Sequence, residues 1–194
     1  MKKIFLLTFM VMASCALHAQ TFGLKGGLNV ATIDNNQQNN IESRLSYHVG
    51  GLVNIPISPQ LSVQPEVVYS SKGAKYMVGS NEQHNLALNY INIPLMLQAN
   101  VGRGFYAEVG PQLGLLTGVV DKVNDIETGF FTKEDFKSSD VSLGVGLGYK
   151  GLSGFGLGAR YNLGLSNINN AGSATIKNNV LQVGLMFSLG GVGR

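Results

Sequence analysis

The stretch "DVSLGVGLGYKGLSGFGLGARYNLGLSNI", residues 140–168, decides the fold. Val141, Leu143, Val145, Leu147 and Tyr149 share one parity, and Ser142, Gly144, Gly146, Gly148 and Lys150 the other. A Gly-Leu-Ser-Gly break follows. The alternation then resumes, with Phe155, Leu157, Tyr161, Leu163 and Leu165 opposing Arg160 and Asn162. A period of two describes a strand with two unlike faces. A soluble sandwich would turn the large face inward and the charges outward. Here the second face is mostly glycine, serine and a few polar groups, which suits a narrow interior rather than a surface.

The same pattern extends in both directions. Eight alternating runs are expected, at about 22–33, 45–57, 61–73, 87–101, 105–117, 139–150, 155–167 and 179–189. Each is longer than the usual globular strand of about 5–6 residues, and long enough for a tilted bilayer-spanning strand, which needs about 9–11. The links near Ser58-Pro59-Gln60, Gly102-Arg103-Gly104 and Gly151–Gly154 are tight. Those near 34–44, 74–86, 118–138 and 168–178 are long and polar. In a meander, alternate links fall at the same end, so short turns gather at one end and long loops at the other. Membrane barrels of bacterial outer membranes have this asymmetry. The expected fold is an all-β, eight-stranded antiparallel up-and-down transmembrane barrel.

Leu61, Val63, Val67 and Tyr69 share a face with Pro65, while Ser62, Gln64, Glu66, Ser70 and Lys72 take the other. Phe105, Val109, Leu113 and Leu115 oppose Glu108 and Gln112, and Leu181 to Leu189 repeat the theme against Gln182, Gly184 and Ser188. A barrel in lipid turns the large face outward. Phe22, Phe105, Tyr149, Phe155 and Phe187 then face out near the short-turn end, and Tyr47 and Tyr69 near the long-loop end. Two such levels are expected to anchor the barrel at the two water–lipid boundaries.

Residues 1–19 read as a secretory leader, with Lys2 and Lys3 before an apolar run over 4–12 and a Leu17-His18-Ala19 cleavage site. The rival reading is a lipoprotein leader ending at Cys15. The expected barrel domain is 20–194. Without the two leader lysines, the 14 Lys and Arg fall to 12, against 11 Asp and Glu. So small an excess gives no reason to expect nucleic acid. The single cysteine lies in the leader, so no disulfide framework is expected.

"TFGLKGGLNVATI", "LSVQPEVVYSSKGA", "YINIPLMLQANVG", "FYAEVGPQLGLLTG" and "LGARYNLGLSNI" together resemble the outer-membrane β-barrel family typical of Bacteroidetes, which includes the PorT-like proteins. The resemblance runs across the mature chain and rests on the ordered set of segments. It implies a small barrel in the outer membrane after leader cleavage. Many such barrels end on an aromatic residue read by the assembly machinery. Here Phe187 is followed by "SLGGVGR", a departure from that ending.

Inward parity also collects charge: Lys25, Glu66, Lys72, Glu108, Lys150 and Arg160. An eight-stranded interior is just filled by side chains, and a charge out of water must be paired. Lys25, Glu66, Glu108 and Arg160 are therefore expected to form a structural network, with at least one carboxylate on Arg160. The other reading of these charges is an ion path. His48 is expected inside the barrel and His84 in a loop, which leaves no set for nucleophilic catalysis. No Cys, His or carboxylate cluster suggests a metal, and no cofactor is expected. The loop 118–138, with Phe130, Phe131 and Phe136 among its charges, is the candidate surface for a protein partner beside the outer-membrane lipid. Its alternative reading is a loop that packs on itself or continues its strands. The expected role is structural or partner-binding. A small-solute pore and a lipid-modifying enzyme are the alternatives.

Overall fold

Alternation of large and small side chains carries into long, mutually paired strands. The computed structural model describes residues 20–35, 41–78, 82–123, 126–170 and 174–189, so the leader expected over 1–19 lies outside the described residues. The strands are β1 (Thr21–Asn35), β2 (Ile41–Pro56), β3 (Leu61–Val78), β4 (Glu82–Gly102), β5 (Phe105–Val123), a two-residue β6 (Ile126–Glu127), β7 (Ser139–Lys150), β8 (Phe155–Gly164) and β9 (Ile176–Ser188). Each barrel strand pairs antiparallel with its neighbour, and β1 pairs with β9, so the sheet closes on eight strands. β6 only extends the edge of β5.

The pairing also fixes the stagger. Following the cross-strand register from Val30 leads through Leu181, Tyr161, Val145, Val109, Leu97 and Val63 to Ile55, which the β1–β2 register sets opposite Gln20, the residue just before Thr21. The row returns ten residues from where it began, so the strands must tilt steeply for the barrel to close. The tight turn at 102–104 needs positive φ at three consecutive residues. Gly102 and Gly104 supply two of them freely, and Arg103 adopts φ 52° between them.

Two expectations about the strands need correcting. β1, β2, β3, β4 and β5 run well past their expected ends on the long-loop side, so much of 34–44, 74–86 and 118–123 is strand. The reason is an inversion of pattern. Up to the row Tyr69, Ile91 and Leu115, the outward face is apolar. Beyond it the outward positions become Asn89, Lys75, Asn85 and Lys122, while the inward ones become Ala74, Leu86, Leu88, Tyr90 and Leu116. Beyond this row the wall has the pattern of a soluble protein, so an apolar-out template loses the strands although their ladder continues. β8, in contrast, ends at Gly164, short of the expected 167.

Candidate functional site

The lumen is the first place to look for a site, and its side chains form stacked layers. At the short-turn end, Leu52, Tyr106 and Met186 make a small apolar cluster. Lys150 Nζ lies 5.0 Å from the centre of the Tyr106 ring and donates to Gln98 Oε1 at 2.7 Å.

Next comes the charge cluster. Arg160 sits on β8, Glu66 on β3, Glu108 on β5 and Lys25 on β1, each on the inward parity of its strand. Arg160 holds Glu66 by two parallel bonds, Nη1 to Oε2 at 2.9 Å and Nη2 to Oε1 at 2.7 Å. Its Nε donates to Glu108 Oε1 at 2.7 Å. Lys25 Nζ donates to Glu66 Oε2 at 2.9 Å. Gln64 and Gln98 complete the carboxylates, donating to Glu66 and Glu108 at 2.9 Å each. Two cations and two anions thus balance. The small residues opposite are a condition for this: a Cβ at Gly146 would crowd the Glu108 carboxylate.

Above it lies an amide layer. Asn29 Nδ2 donates to Ser70 Oγ at 2.9 Å, so its Oδ1 is the acceptor. That oxygen lies 2.8 Å from His48 Nδ1 and 3.1 Å from Gln182 Nε2. His48 therefore carries its proton on Nδ1, a tautomer assigned from the bonding. Higher still, Lys72 pairs with Asp140 at 3.0 Å, with both side chains buried. Asn178 and Ser166 donate to the same carboxylate at 3.2 Å each. Asp140 was missed in the sequence. It shares the parity of Ser142, which is the signal that would have found it.

The long-loop end is closed by an apolar cap. Ile33, Ala74, Leu86, Leu88, Tyr90 and Leu116 come from the wall, and Phe136 and Ile168 plug it from the loops. Backbone bonds hold the plugs in place: Lys137 N to Ile168 O at 2.8 Å, Asn170 N to Asp135 O at 3.0 Å and Leu116 N to Ser138 O at 2.9 Å. Of the three loop aromatics, two follow the alternative reading of a loop that packs on itself. Phe136 is 6% exposed, Phe131 is half-buried against it, and only Phe130, at 77%, faces solvent. His84 differs from expectation, since it lies on β4 and faces inward. Its ring stacks on Tyr76, and its Nδ1 is 3.9 Å from Asp121 Oδ2. Thr128 Oγ1 donates to that oxygen at 3.1 Å.

Within the charge layer, the cavity lined by Lys25, His48, Tyr106, Glu108, Arg160 and Gln182 measures about 20 Å3, enough for a single water. No group of three or more metal-ligating side chains occurs among the described residues. On the outside, Phe22, Tyr47, Phe105, Tyr149, Phe155 and Phe187 are exposed and Tyr69 half-buried. Three pairs form across strands: Phe105 with Tyr149 at 5.1 Å, Phe155 with Phe187 at 4.7 Å and Tyr47 with Tyr69 at 6.1 Å.

A closed antiparallel barrel with an apolar exterior and a polar, ion-paired interior defines an outer-membrane β-barrel protein. The family model described as the outer membrane protein beta-barrel domain matches residues 18–170, and the chain belongs to that family. This places it in the outer membrane. Among solved structures, the chain is similar to Ail, the attachment invasion locus protein of Yersinia pestis, at 11% identity and a TM-score of 0.50, covering 87% of this chain and 98% of that one. Ail in complex with the heparin analogue sucrose octasulfate gives a TM-score of 0.52 at 9% identity, covering 88% and 99%. Neisserial surface protein A also gives 0.52, at 16% identity, covering 86% and 96%. At such identities the likeness is one of fold. No curated protein matches the sequence.

Proposed function

We propose that the protein is a sealed outer-membrane barrel that works through its surfaces, by presenting its loop end to a protein partner or by a structural role in the membrane. The observation that carries this is the filled lumen. A small apolar cluster, an ion-pair cluster, an amide layer, a second ion pair and an apolar cap succeed one another along it. The interior is occupied by its own side chains, so neither the pore nor the enzyme reading is adopted. Ile126, 71% exposed, and Phe130 are the large apolar groups that the described stretch 126–138 offers to water. Exposed apolar side chains of this kind, with Phe130 set edge-on against Phe131 at 6.2 Å, are suited to anchoring in a partner's pocket.

The paired outward aromatics are read as anchors at the two lipid boundaries, and residues 1–19 as a leader that is removed. The finer kinship with PorT-like barrels rests on the ordered sequence segments alone, and no residue here singles out a secretion role. A photoreactive residue at Phe130, activated in native membranes, tests the loop-end reading. A discrete protein adduct is expected from Phe130 and none from Leu152, which is 96% exposed on a short turn. Adducts from Leu152 alone would move the contact to the other side of the membrane and overturn it.

A further inference from the structure

The outer wall carries a feature that neither the filled lumen nor the loops require. A groove of about 450 Å3 runs over β1 to β4, walled by Phe22, Leu24, Val53, Pro65, Val67 and Ile93. Its volume is more than tenfold a water's share of the liquid (~30 Å3). Gly51 forms part of its floor. The register places Leu24 and Val67 beside Gly51 on the two adjoining strands, so one small residue interrupts a row of large ones.

The backbone does not demand that glycine. A Cβ at Gly51 would meet nothing nearer than the Gly23 carbonyl at 3.8 Å. At neighbouring Gly50, by contrast, a Cβ would collide with the Val67 carbonyl. Gly50 is required by close strand approach, whereas Gly51 is free to be larger. Its smallness opens the groove and has no other structural reason.

The same wall is poor in backbone donors. Pro65, in the groove wall, has no N–H to give, and neither have Pro94 and Pro111 on the next two strands, which lie outside the groove. The residue pairing is interrupted between Leu52↔Glu66 and Ile55↔Val63, between Pro65↔Leu95 and Val68↔Asn92, and between Pro94↔Gln112 and Leu97↔Val109. In hydrocarbon, a backbone carbonyl without a donor is costly and draws in water.

We propose that this groove is a binding site for one acyl chain of a membrane lipid, held in place over Gly51 and Pro65. The occupant follows from position. The groove begins at the outward Phe22, near the short-turn aromatics, and ends one row below Tyr69, so it opens within the lipid-facing band. Its lining is of hydrocarbon character apart from Glu66, whose carboxylate turns inward to Arg160 and Lys25. An acyl chain matches this in shape and chemistry, and it packs closely where a small residue lets it reach the backbone.

The test is native mass spectrometry of the full protein, extracted from its own membranes in a mild detergent. Wild type should retain one lipid-mass adduct. Gly51→Leu, which fills the groove from β2, should lose at least nine-tenths of it. Val145→Leu on the opposite wall should keep it. Val67→Phe fills the groove from β3 and serves if Gly51→Leu does not fold. A wild-type protein without lipid, or equal retention in the filled variants, would overturn the proposal. So would a dimer that Gly51→Leu abolishes, since the groove would then be an interface between copies.

Discussion

Replacing Arg160 by Met leaves two carboxylates in the barrel interior with half of their compensation gone. Three bonds disappear, two to Glu66 and one to Glu108. Glu66 keeps Lys25 and Gln64, while Glu108 keeps only Gln98. The cluster changes from neutral to one net negative charge, in a space with room for about one water. Removing one partner of a buried ion pair costs about 3–5 kcal/mol, because the orphaned charge stays desolvated. The remaining Lys25 contact sets the expectation at the lower part of that range. Reversible urea unfolding of the barrel in lipid vesicles measures it directly. The double variant Arg160→Met with Glu108→Gln restores neutrality, since Lys25 and Glu66 remain. It should recover at least half of the loss. A single-variant loss below about 1 kcal/mol would refute the reasoning. So would a double variant as unstable as the single one.

Other outcomes follow from the layers and the loops. Phe136→Ala should destabilise the loop-end cap by about 3 kcal/mol, the low end for a buried Phe, read as faster amide exchange over β4 and β5. Phe130→Ala should stay within about 0.5 kcal/mol of wild type, because the ring is solvent-exposed. Lys72→Met should cost about 3 kcal/mol or more by stranding Asp140, and the companion change Asp140→Asn should return part of it. The intact mass of the membrane-extracted protein should correspond to a chain starting at Gln20 without acylation, and a diacylated species starting at Cys15 would contradict the proposed leader.

The membrane-spanning part of this fold was legible because lipid imposes a simple rule. From Leu61 to Tyr69, or Val141 to Tyr149, the outward side chain is apolar and the inward one small or polar, so parity alone gives the strand and its faces. Inward placement of Glu66, Glu108 and Arg160 could be read the same way, since each interrupts no apolar face. Which acid met which base could not, because that depends on the stagger of ten residues around the barrel. Above Tyr69 and Ile91 the rule reverses. Leu86, Leu88 and Tyr90 are apolar yet inward, and Lys75, Asn85 and Lys122 polar yet outward. A template built for lipid takes that stretch for loop. Phe136 was ambiguous for a related reason: among charges and without alternation it could be read as a contact residue or as part of a loop that packs on itself. It is the plug of a core that exists only once β3, β4 and β5 are seen to continue.

The central claim is that the lumen is closed by its own side chains, so that the protein acts at its surfaces. Single-channel recording of the refolded protein in a planar bilayer tests this most directly. The filled interior predicts no stable, reproducible open level, both in wild type and after deletion of the loop segment 128–134, which takes Phe131 from the cap but leaves the ion-pair layers intact. A steady conductance that persists after that deletion would contradict it, and would make the charged interior a path.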